Sequence, residues 1–154
     1  MASIWSPPNC DRPPDCPTDC PSYRPPRVIE CRITAEDPAA DFRPAPGRIG
    51  QVRFPGGPGV RVDTHVFDGH LFPPFYDSLL AKIIVRSHDR DSAVDAMVAA
   101  LRGTRVDGIS TVVPVHLAVL GHPDFRRGGV TTQWLPAAWP RRCSPPTTTS
   151  MPCT

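Results

Sequence analysis

Lysine is almost missing from this chain: Lys82 stands alone among seventeen basic residues, the rest being arginine. Fifteen acidic residues are interspersed with them, leaving a net charge of +2 and no basic stripe of the kind that holds a phosphate backbone, so nucleic acid is excluded as a partner. No apolar run approaches the roughly eighteen residues of a membrane span. The opening stretch, Met1 to Pro8, has neither a charged n-region nor a continuous apolar segment, so no secretory signal is read there. The body of the chain also lacks a cysteine framework: Cys10, Cys16, Cys20, Cys143 and Cys153 lie near the ends and only Cys31 lies inside. Small secreted domains spread their cysteines through the fold to staple loops, and no C-x-x-C pair occurs here, so the expected compartment is cytoplasmic with reduced thiols.

What the chain does have is proline, 22 residues of it, unevenly placed. Eight fall in residues 1–27 and five in residues 136–154. Proline offers no backbone N–H to a ladder or helix, so both ends are expected to be disordered segments around one folded domain at 28–135.

Within that domain the apolar residues are grouped. Residues 28–35 alternate, with Ile29, Cys31, Ile33 and Ala35 on one side and Glu30, Arg32 and Thr34 on the other, the period of a half-buried strand. Asp37-Pro38, Pro44 and Pro46-Gly47 punctuate a loop, and a weaker strand pattern covers 48–54. After the turn Pro55–Gly59, Val60, Val62, Thr64 and Val66 point one way while Arg61, Asp63 and His65 share the opposite face. Leu79–Val85 reads as a central strand interrupted only by Lys82. Asp91 or Ser92 can cap a helix carrying Val94, Met97, Val98 and Leu101, with Gly103 just past its end. Residues 106–113 suggest a turn and short strand, Pro114 opens a second helix with Leu117 and Leu120, and Thr131–Leu135 reads as extended. Strands first and helices after, with antiparallel alternation, define an α+β fold: an antiparallel sheet with two or three short helices.

Read in order, Ile29 to Pro38, Phe42-Arg43-Pro44 with Pro46-Gly47, Pro55 to Asp63, Pro73 to Leu79, Lys82, Arg90-Asp91, residues 108–113 and Phe125 to Gly128 resemble the biotin carboxylase C-terminal domain. The family serves acetyl-CoA, propionyl-CoA and pyruvate carboxylases, where ATP and bicarbonate carboxylate biotin on a carrier domain. The resemblance implies that Arg61 is the family arginine that contacts bicarbonate and the ureido oxygen of biotin, a role suited to a planar, permanently charged guanidinium. It implies a supporting role for Asp77 and Tyr76, with the aromatic residues of Phe75-Tyr76 packed in the core beside the site. It also places Arg86 and Arg90 on the surface that pairs the family's dimers.

The family's phosphate loop, ATP-contacting lysines, magnesium-binding glutamates and general base belong to an ATP-grasp domain that this sequence does not show. Pro55–Gly59 has too many prolines to present successive N–H groups to a phosphate. The expectation is therefore a catalytically incomplete part of an ATP-dependent ligase, from a truncated gene product or one with foreign ends. Its implied partners are the biotin carrier domain, the ATP-grasp domain or an intact carboxylase, and a second copy. The alternatives are a non-catalytic module that binds an intact carboxylase, and an inactive remnant. His65 and His70, with Asp63 and Asp77 nearby, match no common zinc spacing, so no metal site is expected.

Overall fold

The computed structural model describes residues 2–5 and 26–135. Its centre is an antiparallel sheet of four strands, β1 (Ala2–Trp5), β2 (Arg27–Thr34), β7 (Val60–Thr64) and β9 (Leu79–Ser87), in the order β1-β2-β9-β7. Two-residue pairs complete the strands of the described residues: β3 (Glu36–Asp37) with β4 (Arg43–Pro44), β5 (Gly47–Arg48) with β8 (Leu71–Phe72), and β6 (Val52–Arg53) with β10 (Arg105–Val106). The helices are α1 (Arg90–Gly103), α2 (Val113–Gly121) and α3 (Pro123–Arg127). This is the expected α+β architecture.

The period-2 patterns fix the sheet's two faces. Register places Ile29 opposite Val85, Cys31 opposite Ile83 and Ile33 opposite Ala81 in β2 and β9, with Val60, Val62 and Thr64 continuing those rows in β7. Ile29, Cys31, Ile33, Ala81, Ile83 and Val85 are all buried, and α1 covers them with Ala93, Val94, Met97, Ala100 and Leu101. At about 25 cal/mol per Å² of apolar surface removed from water, this stack is the main source of stability. It also encloses the Cys31 thiol, whose pKa burial pushes up to about 12.

Several boundaries differ from the sequence reading. The cap of α1 is Asp89, whose carboxylate accepts from the Ser92 N–H at 2.7 Å and its hydroxyl at 2.8 Å, so Ser92 is a donor inside the first turn and Asp91 a helical residue. Those bonds hold the Asp89 carboxyl below its ordinary pKa. Gly103 is the last residue of α1, not the one beyond it. The strand read at 48–54 is two short pieces, broken where Gly50 donates to the Asp107 carbonyl. Pro123, read as a return to loop, opens α3. Residues 131–134 form a turn, closed by the Trp134 N–H on the Thr131 carbonyl, in place of an extended stretch. The proline-rich 1–27 segment contributes Ala2–Trp5 to the sheet edge, while residues 6–25 and 136–154 lie outside the described residues.

Gly59 shows why the turn before β7 needs glycine: at φ +76°, a Cβ there would sit 2.8 Å from the Arg86 carbonyl oxygen. The Gly59 carbonyl in turn accepts from the Arg86 N–H at 2.8 Å, so the turn is laid directly on β9.

Candidate functional site

The face of the sheet turned away from α1 carries charge. In register, Arg32 of β2, Lys82 of β9 and Asp63 of β7 form one cross-strand row, and Glu30, Ile84 and Arg61 form the next. Neighbouring strands lie about 4.8 Å apart, so Arg32 and Asp63 flank Lys82 within reach of one ligand of modest size. Lys82 thus lies on the charged face, which reconciles a lysine with an otherwise apolar strand.

Two ion pairs organise this face. Arg61 Nε donates to Asp63 Oδ1 at 2.8 Å, and this bond, then the charge of Asp63, holds the guanidinium above its ordinary pKa. The pair is local, two residues apart on one strand, and the Arg61 side chain remains 73% exposed. Arg32 is different. Its Nη2 reaches Asp77 Oδ2 at 3.3 Å, a partner 45 positions away, and its side chain is only 38% exposed.

The loop that presents Asp77 is itself pinned to the end of β2. The Ser78 carbonyl accepts from the Ala35 N–H at 2.7 Å, and the Ser78 hydroxyl donates to Glu36 at 2.5 Å. Asp77 therefore holds a neighbour by hydrogen bonding, and that neighbour is Arg32. The sequence reading passed over Arg32. Its signal was present in Glu30-Cys31-Arg32, where alternation puts Arg32 on the polar side of the best-formed strand.

Other expected site residues are placed elsewhere. Phe75 and Tyr76 are 85% and 83% exposed, which corrects the expectation that they pack in the core. With Phe67 and Leu71 they are the large exposed apolar side chains of the described residues. Tyr76 and Asp77 line a pocket of about 490 Å³ with His65, His70, Phe72 and Leu79. The His65 and His70 rings meet edge to face at 5.8 Å. Among the described residues no group of three or more His, Cys, Asp or Glu could hold a metal ion. Arg86 is exposed on β9, whereas Arg90 turns inward: its guanidinium donates to the Phe125 and Arg126 carbonyls and lies 5.1 Å from the Phe125 ring centroid. Arg90 thus ties α1 to α3, and partial burial lowers its pKa.

The sequence model of the biotin carboxylase C-terminal domain matches residues 30–137, all but the edges of this fold. The chain belongs to that family. Biotin carboxylase from Nostoc sp. (strain PCC 7120) is 49% identical over 108 residues, which cover 70% of this chain and 24% of the relative. Biotin carboxylase 1 from Bacillus subtilis (strain 168) is 45% identical over 108 residues, again 70% of this chain and 24% of the relative. Among solved structures, the biotin carboxylase domain dimer of Hydrogenobacter thermophilus 2-oxoglutarate carboxylase, in complex with MgADP, ADP and bicarbonate, superposes with a TM-score of 0.72. It is 40% identical, over 73% of this chain and 25% of that one. This chain thus corresponds to the C-terminal part of a biotin carboxylase and spans about a quarter of the length of the curated relatives it matches. Among the described residues no helix is long and apolar enough to cross a membrane.

Proposed function

We propose that the open sheet face, led by Arg61, is this domain's contribution to ATP-dependent carboxylation of biotin by bicarbonate. The observation that carries the reading is the placement of Arg61 on that face, beside the row of Arg32, Lys82 and Asp63, with its guanidinium bonded to Asp63. A group that stabilises charge developing on a substrate must be held in place before the reaction, because a side chain that has to be ordered during it contributes less. Arg61 is held by Asp63 at 2.8 Å while its guanidinium stays open to a ligand, whereas Arg32 lies 3.3 Å from an Asp77 that is itself 66% exposed. The two arginines share one face, and the anion-contacting role that the resemblance assigns to Arg61 stays with it. Arg32 then serves as a flanking cation.

ATP and magnesium would be held by an ATP-grasp domain, since this sequence has no phosphate loop, and biotin would arrive on its carrier. Within this reading a second copy meets the surface that carries Arg86. The exposed group Phe67, Leu71, Phe75 and Tyr76 favours a second role, docking: apolar side chains this exposed on one loop system suit cover by another domain or an intact carboxylase.

The test is a chimera in which residues 30–137 replace the matching segment of the Nostoc enzyme, with biotin-dependent ATP hydrolysis measured. Arg61→Ala is expected to lower kcat about a hundredfold, on the scale of losing one charge-stabilising donor. Arg32→Ala is expected to change it several-fold at most. The opposite ranking would move the role to Arg32. The chain on its own, with ATP, magnesium, bicarbonate and free biotin, is expected to release no ADP.

A further inference from the structure

The strand at one edge of the central sheet comes from outside the segment shared with the family. That segment begins at residue 30, whereas β1 is Ala2–Trp5. β1 pairs antiparallel with β2, placing Ala2 opposite Cys31, Ser3 opposite Glu30, Ile4 opposite Ile29 and Trp5 opposite Val28.

The peptide groups of β2 show what β1 covers. The Arg32 carbonyl accepts from His116 Nε2 at 2.8 Å and the Thr34 carbonyl from the Val112 N–H at 3.3 Å, both at the edge away from β9. Alternate peptide groups of a strand point the same way, so Val28 and Glu30 present their N–H and C=O to that same edge, opposite Trp5 and Ser3. Cys31 presents its own to Ile83 of β9. The outer edge of β2 is therefore closed by β1 along its first half and by the start of α2 beyond it. Left uncovered, Val28 and Glu30 would offer donors and acceptors with which any extended chain can pair. The covering sequence suits its place: Ile4 and Trp5 favour strands, and Pro7-Pro8 follow with no N–H to lengthen the ladder.

We propose that Ala2–Trp5 is a built-in edge cover, an intramolecular strand that closes β2 against pairing with a second chain. The surface it occupies is the backbone of Val28 and Glu30, and the partner that surface fits is an extended segment. This inference is independent of which residue serves the reaction.

The experiment follows amide hydrogen exchange by NMR in the ¹⁵N-labelled full 154-residue chain, with the Cys31 amide, which faces β9, as internal reference. The Glu30 amide is expected to be protected at a level independent of protein concentration. Ser3→Pro removes the N–H opposite Glu30 and is expected to speed Glu30 exchange about tenfold, the scale of one lost hydrogen bond, with Cys31 unchanged. Ser3→Ala keeps that N–H and is expected to leave both rates in place. A chain lacking residues 1–8 is expected to associate more strongly than the intact chain as concentration rises in size-exclusion chromatography. An unchanged Glu30 rate in Ser3→Pro would overturn the proposal, and so would a rise shared equally by Cys31, which marks general destabilisation. Protection that grows with concentration would overturn it too, because the strand would then come from a neighbouring molecule. Association of the shortened chain no stronger than that of the intact one would remove the edge-closing role.

Discussion

The two faces of the central sheet share the same three strands and answer to different rules. On the face under α1, Ile29, Cys31, Ile33, Ala81, Ile83 and Val85 are all buried, and each position is held by volume and contact. On the other face, Arg32, Lys82, Asp63 and Arg61 occupy two neighbouring cross-strand rows at partly or fully exposed positions, with Arg32 and Arg61 each in an ion pair. One face makes the fold; the other is free to serve chemistry. Substitutions should therefore separate stability from activity according to the face they strike.

The sharpest contrast is expected from Ile83→Ala, which opens a cavity in the buried face. It should cost about 2–5 kcal/mol and be visible as a large fall in thermal or urea midpoint. Arg32→Ala, one register position from Ile83 in the pairing of β2 and β9, should leave that midpoint within about 1 kcal/mol, because partly exposed ion pairs contribute little.

Acid should break the comparison from the buried side. Burial lowers the His116 pKa from 6.5 to about 4, while its bond to the Arg32 carbonyl works in the opposite direction. The unfolded chain therefore takes up a proton first, so this contribution is complete above pH 6.5 and is lost as pH falls from there toward 4. A loss on the order of 3 kcal/mol is expected over that window, and His116→Gln should flatten it in urea titrations at stepped pH. A smaller effect concerns Cys31. Its buried thiol, with pKa about 12, should resist iodoacetamide in the native chain and react in denaturant, as read by mass spectrometry of the peptide. Smallest of all, Arg61→Ala should leave the unfolding midpoint unchanged.

Much of this was legible in the sequence. Strict alternation in residues 28–35 and 60–63 placed the side chains on their observed faces, because a period of two leaves no ambiguity once one face is apolar, whereas β7 ends at Thr64, which is exposed, and His65 beyond it lines the pocket with His70. The i, i+3, i+4, i+7 spacing placed α1 equally well. What was missed depended on partners distant along the chain. Asp89 and Asp91 are equally good caps on paper, and only the backbone decides which carboxylate meets the Ser92 N–H. Phe75 and Tyr76 look like core by residue type, and only the three-dimensional structure shows them exposed. The pairing of Arg32 with Asp77 spans 45 residues, which local spacing cannot reveal.

The central claim is that Arg61, oriented by Asp63, serves the reaction on the open face. A double-mutant cycle in the chimera, comparing Arg61→Ala, Asp63→Ala and the double variant by biotin-dependent ATP hydrolysis, tests it most directly. The account predicts strong non-additivity, with the double variant scarcely worse than Arg61→Ala alone. Losses that simply add in free energy would contradict it.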